Sequence, residues 1–187
     1  MPSHPPHAVF DSVPDAVMAR ARRVRLACFD VDGTLTDGAL TFDTEGRETK
    51  TFHVHDGQGL VLLRKAGIAV AMVTARRGGI VERRAADLGI EAYVHVADKR
   101  ERVEQLCAAL DIGPDEMAFM GDDLADVGVM RIAGLAVAPA DAQRCAAEAA
   151  HWRTRAEGGR GAGRELCELI LHAQERLATS HADGRVS

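Results

Sequence analysis

Short apolar runs alternate along the chain with stretches of helical spacing. Residues 24–29 read as a buried strand that ends in acidic residues. Further strands are predicted at 68–73, 91–96, 117–120 and 135–137. Between them, apolar positions recur at helical spacing over 57–65, 80–88, 100–110 and 124–132. A short helix is predicted from Pro14 to Arg23, with proline tolerated in its first turn. A last helix is expected over 163–177, with Leu166, Leu169, Ile170 and Ala173 on one face. Strands alternating with helices predict an α/β fold: a Rossmann-like parallel sheet between helices.

Residues 39–54 (ALTFDTEGRETKTFHV) break this alternation. Two strand-like runs flank Thr44-Glu45-Gly46-Arg47, which predicts a β-hairpin flap. On it His53 and His55 would alternate along a strand and face one side. The glycine-rich stretch 158–163 reads either as a flexible lead into the last helix or as a working loop. One domain over 14–177 is expected, between flexible tails at 1–13 and 178–187.

The chain has 187 residues, 47% of them hydrophobic, enough for one domain with its own core. A net charge of −5 argues against a general binder of nucleic acid or membrane surfaces. No apolar stretch is long enough to span a bilayer, and residues 1–13 lack the apolar core of a secretory signal. The cysteines at 28, 107, 145 and 167 are far apart, which predicts reduced thiols and a cytoplasmic protein.

The chemistry lies at predicted strand ends, where open α/β sheets bind ligands. Asp30-Val31-Asp32-Gly33-Thr34 follows the first strand, and Gly121-Asp122-Asp123-Leu124-Ala125-Asp126 follows the strand at 117–120. Helix capping accounts for one aspartate of the second group, not for three. Crowded carboxylates with no basic neighbour in sequence repel one another unless a cation lies between them, and oxygen ligands favour a hard ion such as Mg²⁺. Thr74 and Lys99 stand at two further strand ends, where a hydroxyl and an ammonium could meet phosphoryl oxygens.

This order of motifs, from Asp30 to Asp126, resembles the haloacid dehalogenase-like (HAD) phosphohydrolase superfamily. The resemblance implies that Asp30 is the nucleophile and Asp32 the general acid and base. It implies that the Asp30 carboxylate, the Asp32 carbonyl and Asp122 hold Mg²⁺, supported by Asp123 and Asp126. Thr74 and Lys99 would position the phosphoryl group. The gaps between motifs leave no room for a cap domain. The site should therefore be open in a single subunit and closed by the substrate or by another subunit.

Further segments resemble one capless family, the 3-deoxy-D-manno-octulosonate 8-phosphate (KDO 8-phosphate) phosphatases of lipopolysaccharide biosynthesis. They are Asp37-Gly38, the hairpin, His53-Val54-His55-Asp56-Gly57, Thr74-Ala75-Arg76 and 158–165. The chain departs from that family's usual pattern at His55, Val61 and Ala75. The resemblance implies a Mg²⁺-dependent homotetramer whose hairpins assemble together. It also implies sugar-acid contacts from His53, Val54, His55, Asp56, Gly57, Arg76, Arg84 and Lys99. Arg160 is expected to reach a neighbour's site. Alternative readings are a phosphatase of a nine-carbon, sialic-acid-like sugar phosphate, a phosphoprotein phosphatase, or a non-catalytic assembly module.

Overall fold

A computed structural model of the protein describes residues 10 and 12–176. Among the described residues six parallel strands form one sheet: β1 (Leu26–Phe29), β4 (Ala69–Val73), β5 (Glu91–Tyr93), β6 (Met117–Met120), β7 (Leu135–Ala138) and β8 (Trp152–Arg153). Their spatial order is β5-β4-β1-β6-β7-β8. The strand carrying Asp30 at its end is thus central, between β4, which leads to Thr74, and β6, which leads to Asp122.

The pleat divides β1 between two cores. Ala27 and Phe29 face one side, while Leu26 and Cys28 face the other. The first side is covered by α1 (Asp15–Ala21), α2 (Val54–Lys65), α3 (Gly79–Leu88) and α7 (Ala162–Ala173), with Leu60, Leu63, Leu166 and Ile170 inside. The second is covered by α4 (Lys99–Ala109), α5 (Leu124–Met130) and α6 (Arg144–Ala149), through Val103, Cys107, Val129 and Ala146. Both faces of the sheet are buried over β1, β4, β6 and β7, which explains why these strands are apolar throughout rather than alternating, whereas the edge strands β5 and β8 carry exposed Glu91 and Arg153.

Several elements differ from the sequence reading. The helix α6 and the edge strand β8 were not expected. Six residues (RCAAEA) and two residues are too short to show a period. The last helix stops at Ala173, and the Gln174 amide that follows donates to the carbonyls of Ala21 and Val24. Within the span expected to be a tail, Phe10 is buried and its ring stacks on His172 at 5.2 Å. The expected tail at 178–187 lies outside the described residues. All four cysteines are free thiols.

The hairpin is shorter than expected. Only β2 (Thr41–Phe42) and β3 (Glu48–Thr49) pair, antiparallel. Its turn is closed by Asp43, whose carboxylate accepts the backbone N–H groups of Glu45 and Arg47 and the Arg47 side chain. His53 and Val54 leave the hairpin: His53 is the N-cap position of α2, and Val54 and His55 begin that helix. The expected strand alternation of His53 and His55 is therefore replaced by a helical start, with their rings edge to face at 5.0 Å.

Candidate active site

The backbone beyond β1 turns sharply. The N–H groups of Leu35 and Thr36 both donate to the Val31 carbonyl at 2.9 Å, and the Thr36 hydroxyl donates to it as well. Gly33 sits in this turn with φ +90°, and a Cβ there would fall 2.2 Å from Asp122 Oδ2. Glycine at this position is what lets the Asp122 carboxylate approach the loop that carries Asp30 and Asp32.

Asp30, Asp122 and Asp126 converge, each offering a carboxylate oxygen, with these atoms all within 4.8 Å of one another. Asp30 and Asp126 are buried. Burial and then the charge of Asp126 raise the Asp30 carboxyl to about 8, although Lys99 opposes the shift. The same two causes, burial first, raise Asp122 to about 6. Three converging carboxylates, two of them pushed toward their protonated forms, make an all-oxygen set that fits a hard divalent cation such as Mg²⁺.

One cation is already built in. Lys99, the first residue of α4, donates to Asp30 Oδ1 and, at 2.6 Å, to Asp126 Oδ1. Burial works against its charge, but Asp30 and Asp126 outweigh it and hold the ammonium above its usual range. The aspartates have no basic residue adjacent in sequence, and the fold brings Lys99 to them from another strand end. Asp123 does not join the cluster. Its side chain caps α5 by accepting from Leu124 N at 2.7 Å. Asp126 accepts the backbone N–H groups of Asp122 and Asp123 through its other oxygen.

The Asp32 side chain points elsewhere. It accepts from the Lys50 ammonium and, at 3.4 Å, from the Thr74 hydroxyl, and it lies 4.0 Å from Arg76 Nε. Lys50 also donates to Glu48 at 2.8 Å, and Glu48 accepts from Arg76 Nη2 at 3.1 Å. Glu48 and Lys50 were missed in the sequence. Their i, i+2 spacing on the hairpin put both on one face, but nothing local shows that this face turns toward Asp32.

The remaining expected residues divide. His53, Asp56, Gly57 and Arg84 line one small cavity beneath Phe52. The Arg84 guanidinium crosses Gly57 where a Cβ would stand and lies 5.8 Å from the Phe52 ring centroid. Val54 is exposed. The Asp56 carboxylate, expected to meet substrate, is buried and accepts backbone N–H groups from Gly161 and Arg164.

The glycine-rich stretch is not a flexible lead. Gly159 N–H donates to the Thr34 carbonyl at 3.0 Å, and Gly158 N–H donates to Asp141. A Cβ on Gly158 would meet the Gly33 carbonyl oxygen at 1.9 Å. The stretch thus packs against the loop after β1 of its own chain. Arg160 is paired at 3.6 Å with Asp37 of the same chain, with both side chains largely exposed.

A parallel sheet with carboxylates and one lysine converging at adjacent strand ends defines a haloacid dehalogenase-like hydrolase. That family's sequence pattern matches residues 90–161. The chain is 44% identical over 169 residues to 3-deoxy-D-manno-octulosonate 8-phosphate phosphatase KdsC of Yersinia pestis, covering 90% of each chain. The crystal structure of the Yersinia pestis phosphatase superposes with a TM-score of 0.87 at 44% identity, covering 89% of this chain and 90% of that one. The corresponding phosphatase of Moraxella catarrhalis, solved with a magnesium ion, a phosphate ion and KDO, superposes with a TM-score of 0.88 at 36% identity. That match covers 91% of this chain and 99% of the other. The chain belongs to the family of 3-deoxy-D-manno-octulosonate 8-phosphate phosphatases.

Proposed function

We propose that this chain hydrolyses the phosphomonoester of KDO 8-phosphate, releasing KDO and inorganic phosphate for lipopolysaccharide biosynthesis. Asp30, at the end of the central strand and held by Lys99, carries this reading. An Asp30 carboxylate oxygen attacks phosphorus, and the bond from phosphorus to the sugar oxygen breaks. Asp32 gives its proton to the leaving oxygen. Asp32 then takes a proton from water, which attacks the phosphorus of the aspartyl phosphate. Phosphate departs and Asp30 is restored. Lys99 and Thr74 orient the phosphoryl oxygens. The Asp30 and Asp122 carboxylates, with the Asp32 carbonyl, would hold Mg²⁺, which when bound would offset negative charge on the phosphoryl group.

Sugar-acid recognition falls to Arg76, Arg84 and the start of α2. Two buried polar atoms without partners support this, Arg76 Nε and His53 Nδ1. Both belong to residues assigned here to substrate.

The protein acts as a cytoplasmic homotetramer in this reading. Leu40 and Phe42 support assembly, because they leave apolar side chains 51% and 56% exposed on the hairpin. Four free thiols suit a reducing compartment. A phosphate-release screen over sugar phosphates and aryl phosphates, with and without Mg²⁺, tests the proposal. It expects a strong preference for KDO 8-phosphate and silence after chelation. A stronger preference for a nine-carbon acid phosphate would overturn the substrate assignment.

A further inference from the structure

The hairpin brings two charged residues over the general acid of its own chain. Lys50 is nearly enclosed, with 4% of its side chain exposed, and it bridges Asp32 to Glu48. Both Glu48 oxygens lie 3.1 Å from Arg76 Nη2. Asp32, Glu48, Lys50 and Arg76 therefore form a charge-balanced set of two anions and two cations. The Arg76 guanidinium is fixed by Glu48 at one corner, while its Nε is buried, lacks a partner and lies 4.0 Å from Asp32 Oδ1.

A buried N–H donor without an acceptor is costly, and such groups in native proteins generally await a ligand or water. Arginine loses less freedom per bond when its planar fork is already oriented. Glu48 supplies that orientation from a segment otherwise exposed.

We propose that Glu48 is a specificity-positioning residue: from the hairpin it clamps Arg76 so that Nε faces the gap beside Asp32 and meets an anionic oxygen of the acid sugar. Lys50 carries the clamp by holding Glu48 next to Asp32. The hairpin then acts on the site of its own subunit, whatever its tip does between subunits. This inference rests on the proposed activity toward a sugar-acid phosphate.

Its test compares Glu48→Gln, Arg76→Ala and the double variant on KDO 8-phosphate and on p-nitrophenyl phosphate. Glu48→Gln should raise KM for the sugar acid about tenfold, the scale of one charge-assisted hydrogen bond. The loss should be several-fold smaller on the aryl ester, which has no carboxylate. Glu48→Gln should add little once Arg76 is alanine, because the two act as one unit. Equal losses on both substrates, fully additive losses, or a fall in KM would overturn the clamp; the last would make Glu48 a competitor of substrate. The substrate-free enzyme gives a second readout. The Arg76 Nε–H resonance, assigned by its loss in Arg76→Lys, should exchange slowly with solvent in the wild type and quickly in Glu48→Gln. Unchanged exchange rejects the clamp whatever the substrate proves to be. A wild type indifferent to KDO 8-phosphate with the exchange difference intact rejects the substrate assignment alone.

Discussion

Asp56, in the first turn of α2, accepts the backbone N–H of Arg164 at 2.8 Å, in the first turn of α7. A second oxygen accepts from Gly161, the N-cap position of α7, which has no side chain of its own to cap with. A carboxylate from one helix thus caps another. It also fixes the glycine-rich stretch that packs on the loop after β1, and so links α2 to the loop that carries Asp30 and Asp32. Burial raises its proton affinity, and the two backbone donors oppose this.

Asp56→Ala leaves two donors without a partner, and the expected cost is about 1–3 kcal/mol of stability. Urea denaturation should show it as a lower midpoint at unchanged slope. Asp56→Asn retains one acceptor oxygen and should fall between. A wild-type midpoint for the alanine variant would show that water satisfies these N–H groups equally well.

Gly159 has φ +63°, and a Cβ there would stand 2.5 Å from the Thr36 carbonyl carbon, whereas at Gly46, φ +76°, a Cβ would meet nothing within 4 Å. Gly46→Ala should therefore cost only left-handed strain, about 1 kcal/mol. Gly159→Ala should cost more and also lower kcat, because the loop carrying Asp32 must shift. Thermal unfolding and steady-state kinetics on both variants decide this. Equal stability losses with equal kcat would mean that the contact with the Asp30–Thr36 loop has no part in catalysis.

The central part of this architecture was legible because chemistry and periodicity coincide there. Asp30, Thr74, Lys99 and Asp122 each follow an apolar run, and the parallel sheet brings those runs side by side. The partners of Asp56 were not legible, because it adjoins residues that resemble a substrate loop. Its true partners, Gly161 and Arg164, are more than a hundred residues away and offer backbone N–H groups, which no side-chain pattern announces. Glu48 and Lys50 were missed for a related reason. A charged hairpin face looks the same in sequence whether it meets water or Asp32. The stretch 158–163 looked flexible, since glycine in sequence signals freedom and close packing alike.

Asp122→Ala should weaken the response to Mg²⁺ sharply, shifting the activating concentration upward by at least tenfold if one carboxylate ligand is worth about 1.4 kcal/mol or more. Calcium should inhibit the wild type, since its larger and looser shell misplaces the nucleophile. Phosphate release measured over a Mg²⁺ titration checks both. An unshifted titration would remove Asp122 from the metal site.

Leu40 and Phe42 should matter to assembly and little to folding, because both side chains are exposed. Phe42→Asp combined with Leu40→Asp should shift sedimentation from the proposed tetramer toward smaller species. Unchanged sedimentation would place the subunit contacts elsewhere on the molecule.

The central claim is that Asp30 carries the phosphoryl group during turnover. Acid-quenched enzyme, mixed with KDO 8-phosphate and Mg²⁺ and digested for mass spectrometry, tests it most directly. The phosphoryl group should appear on the peptide containing Asp30 and should accumulate in Asp32→Asn, which can form the aspartyl phosphate but hydrolyses it slowly. In Asp30→Asn it should be absent, with steady-state phosphate release abolished. Phosphate release at a substantial rate from Asp30→Asn, or a phosphoryl group trapped on any other residue, would contradict the account.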